Sequence, residues 1–155
     1  MNFDFALLGP AYVLAVSWPL ARIDFRERRL PNRLTLPVFP IATLGQLVAV
    51  LFGAEFSRLL FSLLAGVGAF AICLVLNRFA GLGMGDVKLI AGMTLSLAWF
   101  NPLAPTLAVL IGLTLAGVVS LVRVVTRKAS MGSSIALGPY LLVGFVLSFI
   151  AQGLS

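Results

Sequence analysis

Two acids are conspicuous in a chain of 155 residues that is 61% hydrophobic and only 10% charged. Asp86 ends the stretch Gly81-Leu82-Gly83-Met84-Gly85-Asp86, and Val87-Lys88-Leu89 leads straight into an apolar run. Asp24 closes an earlier apolar run, just before Arg26, Arg28 and Arg29. An ionisable side chain at or inside a membrane edge is costly to bury and is by default a functional hypothesis. Two carboxylates that share one site do not both ionise easily. They titrate as a pair, one keeping a proton while the other stays charged. Such a pair can hold a water, deprotonate it and protonate a leaving amine, which is the chemistry of peptide hydrolysis. It needs no histidine, and the chain has none. The lack of histidine argues against a transition-metal site, and the single cysteine, Cys73, excludes an internal disulfide. No metal and no cofactor are expected.

Each residue also has a reading without chemistry. Asp24 can pair with Arg28 one helical turn further on. Asp86 can cap a helix N-terminus at the interface, where aspartate is favoured. Lys88 can snorkel towards lipid phosphate or supply a charge to the site. Asn32 suits a turn or cap, and Pro31 beside it suits a first helical turn. Trp18, Trp99 and Tyr140 read as interfacial or packing aromatics.

The elements that position the two acids are helices in a membrane. A mean hydropathy of +1.11 is too high for a soluble domain to cover. Six apolar runs can be counted: Leu7–Ile23, Leu34–Phe52, Leu59–Leu76, roughly Gly85–Phe100, Leu103–Val125 and Ile135–Ile150. Most approach the ~20 residues that cross the hydrocarbon as a helix. The expected fold is therefore all-α, a polytopic membrane protein with six transmembrane helices. Of the eleven basic residues, all but Arg58 fall in alternate connections of this arrangement. The positive-inside rule makes that side cytoplasmic and puts both termini outside the cytoplasm. It also accounts for the net charge of +6 without nucleic acid. Lipid is the expected surrounding, and the arginine cluster a topology determinant that meets lipid headgroups.

Met1-Asn2-Phe3-Asp4-Phe5 lacks a basic n-region, so the first run is expected to be retained rather than cleaved as a signal peptide. Residues 1–155 read as one membrane-embedded domain, with no loop long enough for a soluble one. Pro19 predicts a kink in the first helix. In the fourth run, Val87–Phe100 is too short to span. Counting back ~20 residues from Phe100 reaches Gly81 and puts Asp86 about five residues, roughly 7 Å, below the surface. Glycines at 81, 83 and 85 suit irregular backbone at that depth and would let another backbone come close. They could hold an extended peptide, a reading that Gly83→Val and Gly85→Val would test. Ser130-Met131-Gly132-Ser133-Ser134 precedes the last run, whose Gly138-Pro139 pair loosens its start.

Together these residues resemble the prepilin peptidases, membrane aspartic peptidases of the GxGD class. Gly83-Met84-Gly85-Asp86-Val87-Lys88-Leu89 is similar to the family's GxGDxKL element. Asp24, followed by Arg29-Leu30-Pro31-Asn32-Arg33-Leu34-Thr35, is similar to its first aspartate element. Leu137-Gly138-Pro139-Tyr140-Leu141 is similar to the Gly-Pro-aromatic-Leu segment of its last helix. The resemblance spans about residues 15 to 145. It implies catalysis by Asp24 and Asp86, with Gly83, Gly85, Lys88, Pro31, Asn32, Gly138 and Pro139 as active-site support. It implies cleavage of prepilins or pseudopilins at the cytoplasmic face of the bacterial inner membrane. Such substrates carry a short basic leader, the cut, and then a hydrophobic helix. Long members add a cytoplasmic domain with paired CxxC motifs, associated with N-methylation. This chain has neither the length nor the cysteines for it, which argues against methyltransferase activity, and it most resembles the short peptidases of tight-adherence (Flp-type) pili. The rivals are a small transporter or assembly subunit with proton-coupled acids, and a signal-peptide-type GxGD protease. The Arg-Leu-Pro-Asn element favours the prepilin peptidases over both.

Overall fold

A computed structural model describes residues 5–126 and 136–153. The leading residues 1–4, Arg127, Lys128 and the Ser130–Ser134 connection, on which some of the expectations above rest, lie outside the described residues. A short 3₁₀ turn, Phe5–Leu7, leads into helix α1, Leu8–Glu27, which continues through Pro19. Then follow α2 (Asn32–Thr35), α3 (Val38–Leu51), α4 (Phe56–Ala80), α5 (Met84–Ala98), α6 (Ala104–Val125) and α7 (Gly138–Gly153). Among the described residues there is no strand. The six apolar runs correspond to six rods, because α2 and α3 share the second run and are parted only at Leu36-Pro37. Among the described residues four rods are long and apolar enough to cross a membrane: Phe5–Glu27, Asn32–Leu51, Phe56–Ala80 and Ala104–Val125.

The two short rods depart from the expectation of six full spans. Helix α5 has 15 residues, about 22 Å at 1.5 Å per residue. Its residues from Leu89 to Ala98 are all buried, whichever way they point. A helix apolar on every side belongs inside a bundle, and α5 is the central rod, packed against α4, α6, α3, α1 and α7. It meets protein where the other helices meet lipid.

The start of α5 also differs from the count back to Gly81. Helix α4 runs on to Ala80, and Gly81 closes it in the left-handed region at φ 71°. The amides of Gly81 and Leu82 both turn back to the Leu76 carbonyl, and the Asn77 side-chain amide donates to the Leu82 carbonyl. That glycine-terminated stop satisfies the last carbonyls of α4. The next helix cannot begin before the chain has turned, so Asp86 lies in the first turn of α5.

One large apolar cluster runs along the bundle from the end that carries the acids. It joins Val13 and Leu20 of α1 to Val87, Met93 and Leu97 of α5 and Leu141 and Phe145 of α7. A smaller cluster of Ala6, Ala49, Leu59 and Trp99 closes the opposite end. Helices α6 and α7 pack closely over Ala104, Ala108, Gly112 and Ala116, buried every fourth residue on α6. A side chain at Gly144 would run into the Ala108 carbonyl. Small residues at such spacing let helix backbones approach in lipid, where no hydrophobic gain drives association. Polar ties add to this. Gln46, fully buried on α3, donates to the Leu95 carbonyl at 2.9 Å and accepts from Ser62 of α4 at 2.7 Å. Ser148 of α7 donates to the Ala104 carbonyl at 2.8 Å.

Candidate active site

Helix α1 carries Asp24 near its C-terminal end, where the bundle closes around it. The residue is 5% exposed. Its Oδ2 accepts a hydrogen bond from the Gly138 amide at 3.0 Å, across 114 residues of sequence. Gly138 is the first residue of α7, so the carboxylate sits at a helix N-terminus. There the unpaired amides and the helix dipole both favour a negative group. A Cβ on residue 138 would lie 2.8 Å from that same Oδ2. Glycine is therefore what admits the carboxylate. Proline next in sequence forfeits no bond, since early amides of a helix lack intrahelical partners.

Asp86 sits at a second helix N-terminus. Gly83 is the N-cap of α5, and its carbonyl accepts the Val87 amide at 3.1 Å. The half-buried Asp86 side chain folds back over this turn, so that a Cβ at Gly83 would stand 2.8 Å from its Oδ2. Asp24 and Asp86 come from α1 and α5, distant parts of the chain. Both line one open cavity of about 380 Å³ at the end of the bundle. Three cationic side chains, Arg28, Arg29 and Lys88, line it too.

The loop between α1 and α2 forms the cavity's third side. Arg28 ends α1 in the left-handed region at φ 51°, its amide bonded to the Asp24 carbonyl at 2.9 Å. Leu30 then turns inward and is buried. Its Cβ would lie 2.7 Å from a Cβ on Gly85, and its Cδ2 3.2 Å from one on Gly138. Leu30 is thus wedged between the glycine beside Asp86 and the glycine that holds Asp24. Pro31 is extended and precedes α2, while Asn32 begins it. Asn32 is not a cap: its Oδ1 accepts from Lys88 Nζ at 2.8 Å and so ties α2 to α5.

Of the residues expected at the site, Asp24, Asn32, Gly83, Gly85, Asp86 and Lys88 line the cavity. Gly138 reaches it through Asp24. Pro31 and Pro139 stand behind the lining, as the cap of α2 and the second residue of α7. Leu30, Arg28, Arg29 and Met84 line it without having been expected as site residues. For Leu30 the one signal was an apolar residue set between a run of arginines and a proline. Among the described residues no three His, Cys, Asp or Glu side chains gather as metal ligands would.

Fold and site together define a helical, multi-pass membrane protein with paired acids at one end of its bundle. Residues 11–122 match the type IV leader peptidase family. The chain belongs to that family, as its resemblance to the prepilin peptidases anticipated. Both acids lie inside the matched stretch, and Gly138 lies beyond it. No curated protein and no solved structure matches the chain.

Proposed function

We propose that the protein is a membrane aspartic endopeptidase, with Asp24 and Asp86 as its catalytic pair. It removes the basic leader of type IV or Flp-type prepilins, or of pseudopilins, at the cytoplasmic face of the membrane. The observation that carries this proposal is the shared cavity, which two carboxylates from distant parts of the chain line together, each at a helix N-terminus.

The pair holds one proton between its members. The ionised carboxylate takes a proton from a water lying between the two. The resulting hydroxide attacks the scissile carbonyl carbon, while the protonated partner donates its proton to the carbonyl oxygen. Collapse of the tetrahedral intermediate breaks the C–N bond. The amine leaves with the proton that was taken from water, a hydroxyl of the intermediate gives its proton back to the partner that had protonated the carbonyl oxygen, and the dyad again holds one proton. Leu30 keeps the carboxylates at a fixed separation and excludes other water. Lys88 and Asn32 hold the loop that carries it. The basic rim of Arg22, Arg26, Arg28, Arg29 and Arg33 favours a cytoplasmic position for this end of the bundle.

The test is to incubate the purified protein, in lipid, with a full-length prepilin and weigh the products. Asp24→Asn and Asp86→Asn run in parallel. One cut at the leader junction, lost in both variants, is expected. A cut that survives Asp24→Asn would assign Asp86 another partner, and no cut across several prepilins would sink the peptidase proposal.

A further inference from the structure

Helices α4 and α6 flank α5 without closing over it, and leave a groove of about 580 Å³ with α5 as its floor. The floor presents Ile90 and Thr94, one wall Gly68 and Cys73, the other Val109 and Leu113. No charged residue lines it. Its rims face outward, with Ile72 and Leu110 more than half exposed.

Three observations concern what the groove would hold. A Cβ at Gly68 would meet nothing within 4 Å, so the α4 backbone is bare there and open to another backbone. Helices associate in lipid by such close approach over small residues. Thr94 is only 7% exposed, and its hydroxyl has no hydrogen-bond partner among the described residues. That hydroxyl lines the groove floor, where it can donate to an acceptor brought by whatever lies there. The groove also leads to the acids. Ile90 is one turn from Asp86 on α5, and Leu82 on the Gly81–Gly83 turn lines its end. A helix lying there would deliver the extended residues at its end to the cavity.

We propose that this groove seats the apolar transmembrane helix of the substrate, beside the scissile segment held between Asp24 and Asp86. It rests on the peptidase function proposed above. An uncharged trough that runs into a charged cavity sorts the two halves of such a substrate, the helix into the trough and the cut site into the cavity. The substrate's helix brings backbone to Gly68 and an acceptor to Thr94.

The experiment uses the full chain in lipid vesicles and a synthetic prepilin with a basic leader, an apolar helix and one cysteine in that helix. In a Cys73→Ala background, Gly68→Cys is compared with Leu44→Cys, which lies on α3 outside the groove and is 60% exposed. A bis-maleimide is expected to join the prepilin to Gly68→Cys about tenfold more than to Leu44→Cys. Cleavage is read in parallel with Gly68→Trp, which fills the groove. Its KM is expected to rise about tenfold, with Leu44→Trp unchanged. Equal crosslinking at both positions overturns the proposal, as does crosslinking between two copies of the chain, or none. If the wild type cuts the prepilin and the crosslinks are even, the groove alone is lost. If the wild type cuts neither this prepilin nor several others, the peptidase function is lost, and the crosslinks still decide what the groove holds. A misfolded Gly68→Trp leaves the decision to the smaller Gly68→Cys.

Discussion

Replacing Gly138 by alanine tests how Asp24 is held. The added methyl would lie 2.8 Å from Asp24 Oδ2 and 3.2 Å from Leu30 Cδ2. The backbone of α7 is packed against α6 and α1, so the carboxylate is what yields. An ordinary contact asks it to retreat by roughly half an ångström. That lengthens the 3.0 Å bond from the Gly138 amide, a hydrogen bond to a charged group worth about 1.5–3 kcal/mol. A 1 Å misplacement costs on the order of 10²-fold in rate, so kcat should fall between about tenfold and a hundredfold. KM should hardly change, because no substrate contact is removed. The melting point should drop by the equivalent of ~1–2 kcal/mol. The assay is single-turnover cleavage of a prepilin in lipid, with thermal unfolding of the same samples. A folded Gly138→Ala that cleaves within about threefold of wild type would refute the reasoning. Asp24 would then not depend on the α7 N-terminus for its position.

Other outcomes follow from the same geometry. Lys88→Met and Asn32→Ala each break the 2.8 Å bond between α5 and α2, and each should lower kcat/KM by about three- to tenfold. The double variant should lose little more than either single one, and additive losses would show that the two residues act separately. Gly81→Ala and Gly117→Ala each place a methyl in open space, but only Gly81 has a positive φ, at 71°. Thermal unfolding should show the first destabilised by about 1–2 kcal/mol and the second stabilised by ~0.5–1 kcal/mol. Gln46→Leu removes a buried link between α3, α4 and α5 and should cost about 1–2 kcal/mol in unfolding. Its combination with Ser62→Ala should cost less than the sum of the two.

The rods and the two acids were legible in the sequence because the signals for them are local. Apolar runs of helical length, glycine next to aspartate, and basic loops on alternate connections can all be read within a short window. What could not be read depends on which distant residues meet. Nothing near Gly138 announces that its amide faces Asp24, 114 residues away. Nothing near Leu30 announces that it fills the space between Gly85 and Gly138. The three glycines before Asp86 looked alike in sequence, yet each serves a different need. Gly81 turns the chain, Gly83 makes room for the Asp86 carboxylate, and Gly85 receives Leu30. The late start of α5 was hidden for a related reason: hydropathy registers how apolar a run is, whereas a left-handed glycine decides where a helix must stop. The expectation of six full spans overlooked that a helix enclosed by its neighbours need not match the bilayer.

The meeting of two helix starts at one cavity has a consequence for how the chain can be rearranged. Helices α5 and α7 both begin where α1 ends, so they run in parallel, and α6 must carry the chain back between them. The site therefore depends on the parity of the crossings that separate its parts. A pair of crossings inserted between α5 and α7, or between α1 and α5, would return each terminus to the same end and leave the acids together. A single crossing gained or lost would send Gly138 to the far end of the bundle and leave Asp24 without its amide. Viable descendants and engineered fusions of this chain should accordingly differ in helix number by twos within the span from Asp24 to Gly138, while additions outside that span are free of the constraint.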